Sequence, residues 1–251
     1  SGQDDAQRYA QEELRRYGVE SYLALDQVRP TTIKQRFQAN EKTLLRVSRL
    51  HQRSIETTLQ NQIIQEFHKI LSKCDLVIFS DFNYGCLPQS LVDQIIARCQ
   101  KKGVMMAADS QCSSQIGDVS RFQGMHLLTP TEREARISLR NYDDGLVVLA
   151  EELRIKSKAK NIILKLGSEG ALLHVEMSKD TPTDRIPALN HSLRDVAGAG
   201  DSMLVTSAIA SLVGANPWEA ACLGSISAAI HVSRLGNIPL SRKELIKELE
   251  E

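Results

Sequence analysis

Leu76-Val77-Ile78-Phe79, Val104-Met105-Met106-Ala107-Ala108, His126-Leu127-Leu128 and Ile162-Ile163-Leu164-Lys165-Leu166 are short, nearly continuous apolar runs. Runs of this length and texture belong to strands buried on both faces of a parallel sheet. Between them the apolar spacing becomes helical. Leu59, Ile63, Ile64, Phe67 and Leu71 fall on one side after Ser54, a stretch from about Pro88 to Lys101 closes at Gly103, and another runs through Leu149 and Leu153. Asp4 or Asp5 caps a first helix that passes Leu14 and ends at Gly18. Ala171 to Val175 follows Gly170 so closely that it reads as an antiparallel partner of the strand before it. The last third predicts helices from Ala199 to Val213, from Pro217 to about Leu235, and from Ser241 to Glu250.

Strand-helix alternation of this kind predicts an α/β fold with a doubly wound, mostly parallel sheet flanked by helices, whose ligands bind beyond the carboxyl ends of the strands. One region breaks the pattern. From Ser21 to about Val47, short runs such as Thr31-Thr32-Ile33 and Leu44-Leu45-Arg46-Val47 alternate with polar positions, which predicts a small β flap or lid over roughly residues 21–50 with one solvated face. No repeat or low-complexity linker divides residues 1–251, and Lys179 to Asp184 reads as a surface loop. The organisation expected is one domain carrying a lid.

Composition narrows the chemistry by exclusion. Lys and Arg number 31 and Asp and Glu 31, so no surplus of positive charge is available for nucleic-acid phosphates. No apolar run approaches the roughly 18 to 20 residues that span a bilayer. The opening Ser1-Gly2-Gln3-Asp4-Asp5 is polar and does not read as a secretory signal. The 5 cysteines include no C-x-x-C pair and the 6 histidines no H-E-x-x-H, which argues against a disulfide framework or a zinc site and for a reducing cytoplasm.

The segment richest in chemistry is Asp195-Val196-Ala197-Gly198-Ala199-Gly200-Asp201, which leads into the small-residue helix Ser202 to Ala208. Small residues let the backbone approach a ligand, and a helix start presents unpaired N–H groups, so an anion such as phosphate belongs there. Two carboxylates flank the same turn and would repel a phosphate held for storage. The conflict disappears if Asp201 orients a hydroxyl and accepts its proton while the N–H groups of Gly198, Ala199 and Gly200 hold the group in transit, because phosphoryl transfer asks mainly for positioning and charge stabilisation. A glycine-rich turn with an acidic helix cap is the structural alternative that spacing alone leaves open. The dinucleotide fingerprint matches only in its first half, and no Walker sequence occurs.

Asp195 to Asp201 followed by a small-residue helix resembles the second signature of the ribokinase-like (PfkB) carbohydrate kinases. Further elements resemble that family in the expected order: Gly2-Gln3-Asp4, Gly18-Val19, Thr129-Pro130-Thr131-x-x-Glu134, Leu166-Gly167-Ser168-Glu169-Gly170-Ala171 and Val232-Ser233-Arg234-Leu235-Gly236. Within the family, Arg29 to Arg36, Leu44 to Val47 and Ser80-Asp81-Phe82 look most like the heptose-7-phosphate kinase branch.

The resemblance implies an ATP- and Mg²⁺-dependent carbohydrate kinase, with Asp201 as base and Gly198, Ala199 and Gly200 as anion hole. It implies Lys165, Gly167, Ser168, Gly170, Ser225 and Gly236 on the nucleotide side, with a hairpin turn as the other reading of Gly167 and Gly170, and Glu134 organising Mg²⁺, its alternative being an ordinary first-turn helix carboxylate. Asp195 would border a monovalent-cation (K⁺) loop, its alternative being a carboxylate that fixes the turn. Lys34, Arg36, Asp81 and Asn83, with Arg46, would face the sugar or sugar phosphate; for Lys34, Arg36 and Arg46 a solvated strand face or a dimer contact is the plainer role, and for Asp81 and Asn83 a turn-forming role is an equal alternative. Pairing through the lid into a homodimer follows from the same resemblance, with no nucleic-acid or membrane partner.

Departures from the family pattern qualify it. Thr131 stands where Asn is frequent, Tyr84 near a usual Lys, Asp109-Ser110-Gln111 in place of Asp-Pro-Lys, Ser225 in place of Asn or His, and Val196 in place of Thr. The family's opening strand and Gly-Gly helix are not in this sequence, so the expectation is a portion of a longer polypeptide or a changed way of handling sugar. The alternative function is a catalytically silent nucleotide- or sugar-binding regulator of the same fold.

Overall fold

The computed structural model describes residues 1–39, 42–112, 117–176, 182–189, 194–236 and 238–250. The chain separates into two compact units, residues 1–72 with 84–95, and residues 73–83 with 96–251.

In the first unit, helix α1 (Asp5–Arg16) starts on Asp4, whose Oδ1 accepts from Gln7 N at 2.9 Å. Its other oxygen accepts from Thr31 N at 2.8 Å, so the early Gly-x-Asp element also anchors the chain leading to the flap. A Cβ on Gly2 would lie 2.7 Å from Arg29 O, which explains the glycine. Strands β1 (Ile33–Ala39) and β2 (Lys42–Arg49) form an antiparallel two-stranded sheet with an irregularity after Phe37. Its first strand begins at Ile33, because residues 21–32 form no regular element. Helix α2 (Thr57–Ile70) buries Leu59 and Ile64, as its spacing predicts.

The second unit holds six strands in spatial order β3 (Leu76–Asp81), β4 (Met105–Ser110), β5 (Leu127–Leu128), β6 (Asn161–Lys165), β7 (Ala171–Val175) and β8 (Thr183–Ile186). The first four are parallel to one another; β7 is antiparallel to β6, and β8 to β7. The mixed, mostly parallel sheet flanked by helices is the α/β architecture expected. β8 falls partly in the stretch read as a surface loop; Thr183 to Ile186 alternates weakly, and its pairing with β7 decides its state. Residues 179–181 of that loop lie outside the described residues.

Helix α3 (Gln89–Lys102) begins in the first unit, continues in the second from Ile96 and ends at Gly103, which takes φ 69°. A helix that the apolar spacing does not announce, α4 (Glu132–Leu139), is fixed by a capping box between Thr131 and Glu134. Helices α5 (Leu146–Ser157), α6 (Ala199–Leu212), α7 (Pro217–Val232) and α8 (Arg242–Glu250) complete the unit.

Met203, Leu204 and Ala208 of α6 and Ala221 of α7 share one buried cluster with Ala107, Leu127, Ile163, Ala171 and Leu173 of the sheet. The alanines permit close approach of helix to sheet. Gly224 of α7 does the same between helices, since a Cβ there would stand 2.0 Å from Ser207 Oγ. This packing sets the start of α6 at the carboxyl ends of β3 and β4, where Ser80 and Gln111 come within reach of Asp201.

Candidate active site

The turn before α6 is built by local hydrogen bonds and by the far end of α7. Asp195 Oδ1 accepts from Ala197 N at 3.0 Å, the turn-fixing role left open for this carboxylate. Val232 O accepts from Arg194 N at 2.8 Å and from Asp195 N at 3.2 Å. Buried His231 donates from Nε2 to Ala197 O at 2.6 Å; its Nδ1, then an acceptor, lies 3.2 Å from Ser202 Oγ. One imidazole thus brackets the Gly-Ala-Gly segment on both sides.

Gly198 is the N-cap of α6 at φ 89°, and no side chain caps the helix. The N–H groups of its first turn have no partner within the helix, although Ala199 N makes a long 3.4 Å bond to Val196 O before it. The two glycines of the turn serve different ends. Gly198 occupies the left-handed region that a Cβ resists. Gly200 has no such backbone; a Cβ there would stand 3.0 Å from Lys165 Nζ, so it provides room.

Asp201 sits in the first turn of α6, half-buried. Its Oδ1 lies 3.5 Å from both Ser80 Oγ and Gln111 Nε2, the outer limit of hydrogen bonding, so this carboxylate is held only loosely. Close by, Asp109 Oδ2 accepts from Lys165 Nζ at 2.6 Å, and Asp109 Oδ1 accepts from Ser110 N at 3.0 Å. Burial pushes the Asp109 carboxyl up from its ordinary value. Burial also works against the charge on Lys165, but the carboxylates of Asp109, Glu134 and Asp201 outweigh it and raise the lysine. The 2.6 Å contact between Lys165 Nζ and Asp109 Oδ2 has the geometry of an ion pair.

Buried Glu134 accepts from Cys112 N at 3.0 Å through Oε1 and from Thr131 N at 2.7 Å through Oε2. Each oxygen keeps a second lone pair. Among the described residues, no group of three or more His, Cys, Asp or Glu side chains could hold a metal. The donor set suits a Mg²⁺ held chiefly by nucleotide phosphates beside one carboxylate, and not an all-protein cage.

The structure gathers Asp201, Gly198, Ala199, Gly200, Lys165 and Glu134 into this neighbourhood, and Asp195 into the turn. Other predicted positions have local partners. Gly167 and Gly170, at φ 64° and 88°, close the short turn between β6 and β7, with Ser168 exposed between them. Ser225 Oγ donates to Ala221 O at 2.9 Å within α7, and Gly236 lies past the helix at φ 81°. Asp81 pairs with Arg121 at 2.7 Å, and Asn83 Nδ2 donates to Gln111 O at 2.8 Å; both fix loops at the strand ends. In the first unit, Lys34 Nζ stands 5.3 Å from the ring centre of Tyr84, a cation–π contact. Arg36 lies directly opposite Arg46 across β1 and β2. His231 and Ser80 are site residues that sequence reasoning missed; Ser80, at the carboxyl end of a buried strand, carried a usable signal.

The pfkB family carbohydrate kinase model matches residues 1–243. The bifunctional protein HldE of Helicobacter hepaticus is 27% identical over 250 residues, covering 98% of this chain and 50% of that protein. HldE of a Nitratiruptor species is 28% identical over 249 residues, covering 97% and 50%. The chain spans about half the length of these curated relatives. Phosphofructokinase-2 from Escherichia coli, solved in complex with potassium, superposes with a TM-score of 0.80 at 16% identity over 100% of this chain and 79% of that one. Ribokinase from Giardia lamblia gives 0.77 at 18% identity over 99% and 80%. These structures share the fold, and with the family model matched over residues 1–243, the chain belongs to the pfkB family of carbohydrate kinases.

Proposed function

We propose that this chain transfers the γ-phosphoryl group of ATP to a hydroxyl of a sugar or sugar phosphate. The observation that carries the reading is the uncapped N-terminus of α6 beside the loosely held carboxylate of Asp201. The N–H groups of the Gly198–Gly200 turn hold the migrating phosphoryl group, and Asp201 aims the acceptor hydroxyl and takes its proton. A loose transition state makes modest demands on base strength, so an ordinary carboxylate suffices. Mg²⁺, held by the phosphates near Glu134, would neutralise charge on them. Lys165, Gly167, Ser168, Gly170, Ser225 and Gly236 belong to the nucleotide side, and a monovalent cation is assigned to the Asp195 turn.

For the acceptor we favour a heptose-7-phosphate-like sugar phosphate, supported by the flap sequence and the likeness to HldE. Lys34, Arg36 and Arg46 share one face of the flap by strand alternation. Like charges directly opposite each other are unfavourable without an anion, and a phosphate would relieve Arg36 and Arg46. Phe37, Leu44 and Leu45 are exposed on the flap, which supports pairing of two copies there. The free cysteines fit a cytoplasmic setting. The second reading, a silent binding protein, is favoured by Gln111 standing at 3.5 Å from Asp201 where a cation would serve an anion better.

A coupled ADP-release assay across heptose, hexose and pentose phosphates separates the two. Stimulated release is expected, and Asp201→Asn should lower it by about 10²- to 10⁴-fold with ATP affinity nearly unchanged. Near-normal turnover in that variant removes Asp201 from the chemistry; binding without turnover by any sugar supports the silent reading.

A further inference from the structure

We propose that Lys165 is the side-chain cation of the phosphate-binding turn and that Asp109 is the positioning residue that aims it there. The inference rests on the reading of the Gly198–Gly200 turn as an anion site.

The turn from Asp195 to Asp201 contains no Lys or Arg, and it carries a carboxylate at each end. Glu134 and Asp109 add two more carboxylates whose fields reach Lys165. A phosphate entering such a neighbourhood meets repulsion from several sides, and amide dipoles alone are a weak answer to it. Lys165 is a cation that this structure places against the turn. Its Nζ lies 3.0 Å from where a Cβ on Gly200 would be, so the ammonium rests against the backbone of the second glycine.

The side chain is largely withdrawn from water, at 15% exposure, where a charge acts more strongly than it does on the surface. An ammonium has three N–H donors. Asp109 Oδ2 takes one at 2.6 Å, which leaves capacity for a phosphate oxygen.

Asp109 is suited to aiming. It is almost fully buried at the end of β4, and its two oxygens are committed separately, Oδ1 to Ser110 N and Oδ2 to Lys165. Lys165 stands at the end of β6, with β5 between the two strands. The backbone of Lys165 is itself fixed, its N–H donating to Pro130 O at 2.8 Å. A long, flexible side chain is thus held at both ends, and a displaced Nζ would lose its place beside Gly200.

The test is equilibrium binding of ATP, ADP and adenosine, without acceptor, to the wild type, Lys165→Met and Asp109→Asn. The wild type should bind ADP and ATP more tightly than adenosine. Lys165→Met should weaken ATP by about tenfold or more while leaving adenosine within about twofold, since a charge-assisted hydrogen bond is lost only where phosphate is present. Asp109→Asn should lose less in the same direction and add nothing in the Lys165→Met background, which a general weakening of the fold would not reproduce. Lys165→Met leaves a buried carboxylate unpaired; should it fail to fold, the double variant Asp109→Asn/Lys165→Met carries no such charge and reads the same ratio.

An ATP-to-adenosine preference unchanged in the folded variant overturns the proposal, as does a wild type that binds ADP no better than adenosine. Turnover with unchanged preference would sink this inference and leave the kinase reading standing. A tenfold loss with no sugar giving turnover would do the reverse.

Discussion

Helices α6 and α7 pack against each other, yet they begin in opposite ways. α7 starts on Asn216, whose Oδ1 accepts from Trp218 N and Glu219 N at 3.0 Å each, while Glu219 reaches back to Asn216 N at 2.9 Å and Pro217 fills the first turn. Its opening N–H groups are closed by the chain itself. α6 starts on a left-handed glycine with no side-chain cap. The same contrast separates carboxylates of this unit. Glu151 is bound by Arg154 at 2.7 Å and by His174 at 2.7 Å, whereas Asp201 has contacts of 3.5 Å on Oδ1. In these two pairs the group that serves the fold is satisfied internally, and under the proposed function the open one is completed by a ligand.

The largest effect should come from closing or distorting the open helix start. Gly198→Ala forces a Cβ at φ 89°, a strain of about 1–2 kcal/mol, and misdirects the amides of the turn. Turnover should fall by about 10²-fold, the loss typical of one misplaced anion-hole donor. Retention of full turnover would break the contrast at its functional end.

Asn216→Ala is the matching change in α7. It should cost about 1 kcal/mol of stability. For a chain of this size that lowers the melting temperature by about 2–4 °C. Turnover should stay as it was; a kinetic defect as deep as that of Gly198→Ala would show that the two helix starts do not differ in purpose.

The smallest effect is expected at Glu151. The Arg154 side chain first, and His174 after it, hold this carboxyl at about 2, down from its usual 4.5, against an opposing penalty from burial. Its folded-state value is depressed, so its stabilisation is complete above pH 4.5 and disappears as the pH falls to about 2. Glu151→Gln should therefore lower stability at pH 7 by about 1 kcal/mol or less, since the group is partly exposed. Denaturation curves of variant and wild type should converge toward pH 2; a constant gap across that range would mean the ion pair is not the cause.

The Gly-Ala-Gly turn, the four parallel strands and the antiparallel β7 were legible in the sequence because each depends on neighbours in the chain. Glu134 was legible as a first-turn residue, and the capping box shows why that spacing matters. What escaped depends on register between distant segments. Asp109 and Lys165 are 56 positions apart, His231 and Ala197 are 34, and Ser80 and Asp201 are 121. Periodicity cannot place such partners; only the order of strands across the sheet and the packing of α6 on α7 bring them together. β8 escaped for a related reason, since an edge strand of four polar and mixed residues takes its conformation from β7.

Gly200 carries one more consequence. Its backbone is ordinary, so alanine at that position would fold; the methyl would instead nudge the tip of Lys165 out of its seat. Gly200→Ala should accordingly weaken ATP binding in the manner of Lys165→Met, and part of that loss should vanish once residue 165 is itself shortened.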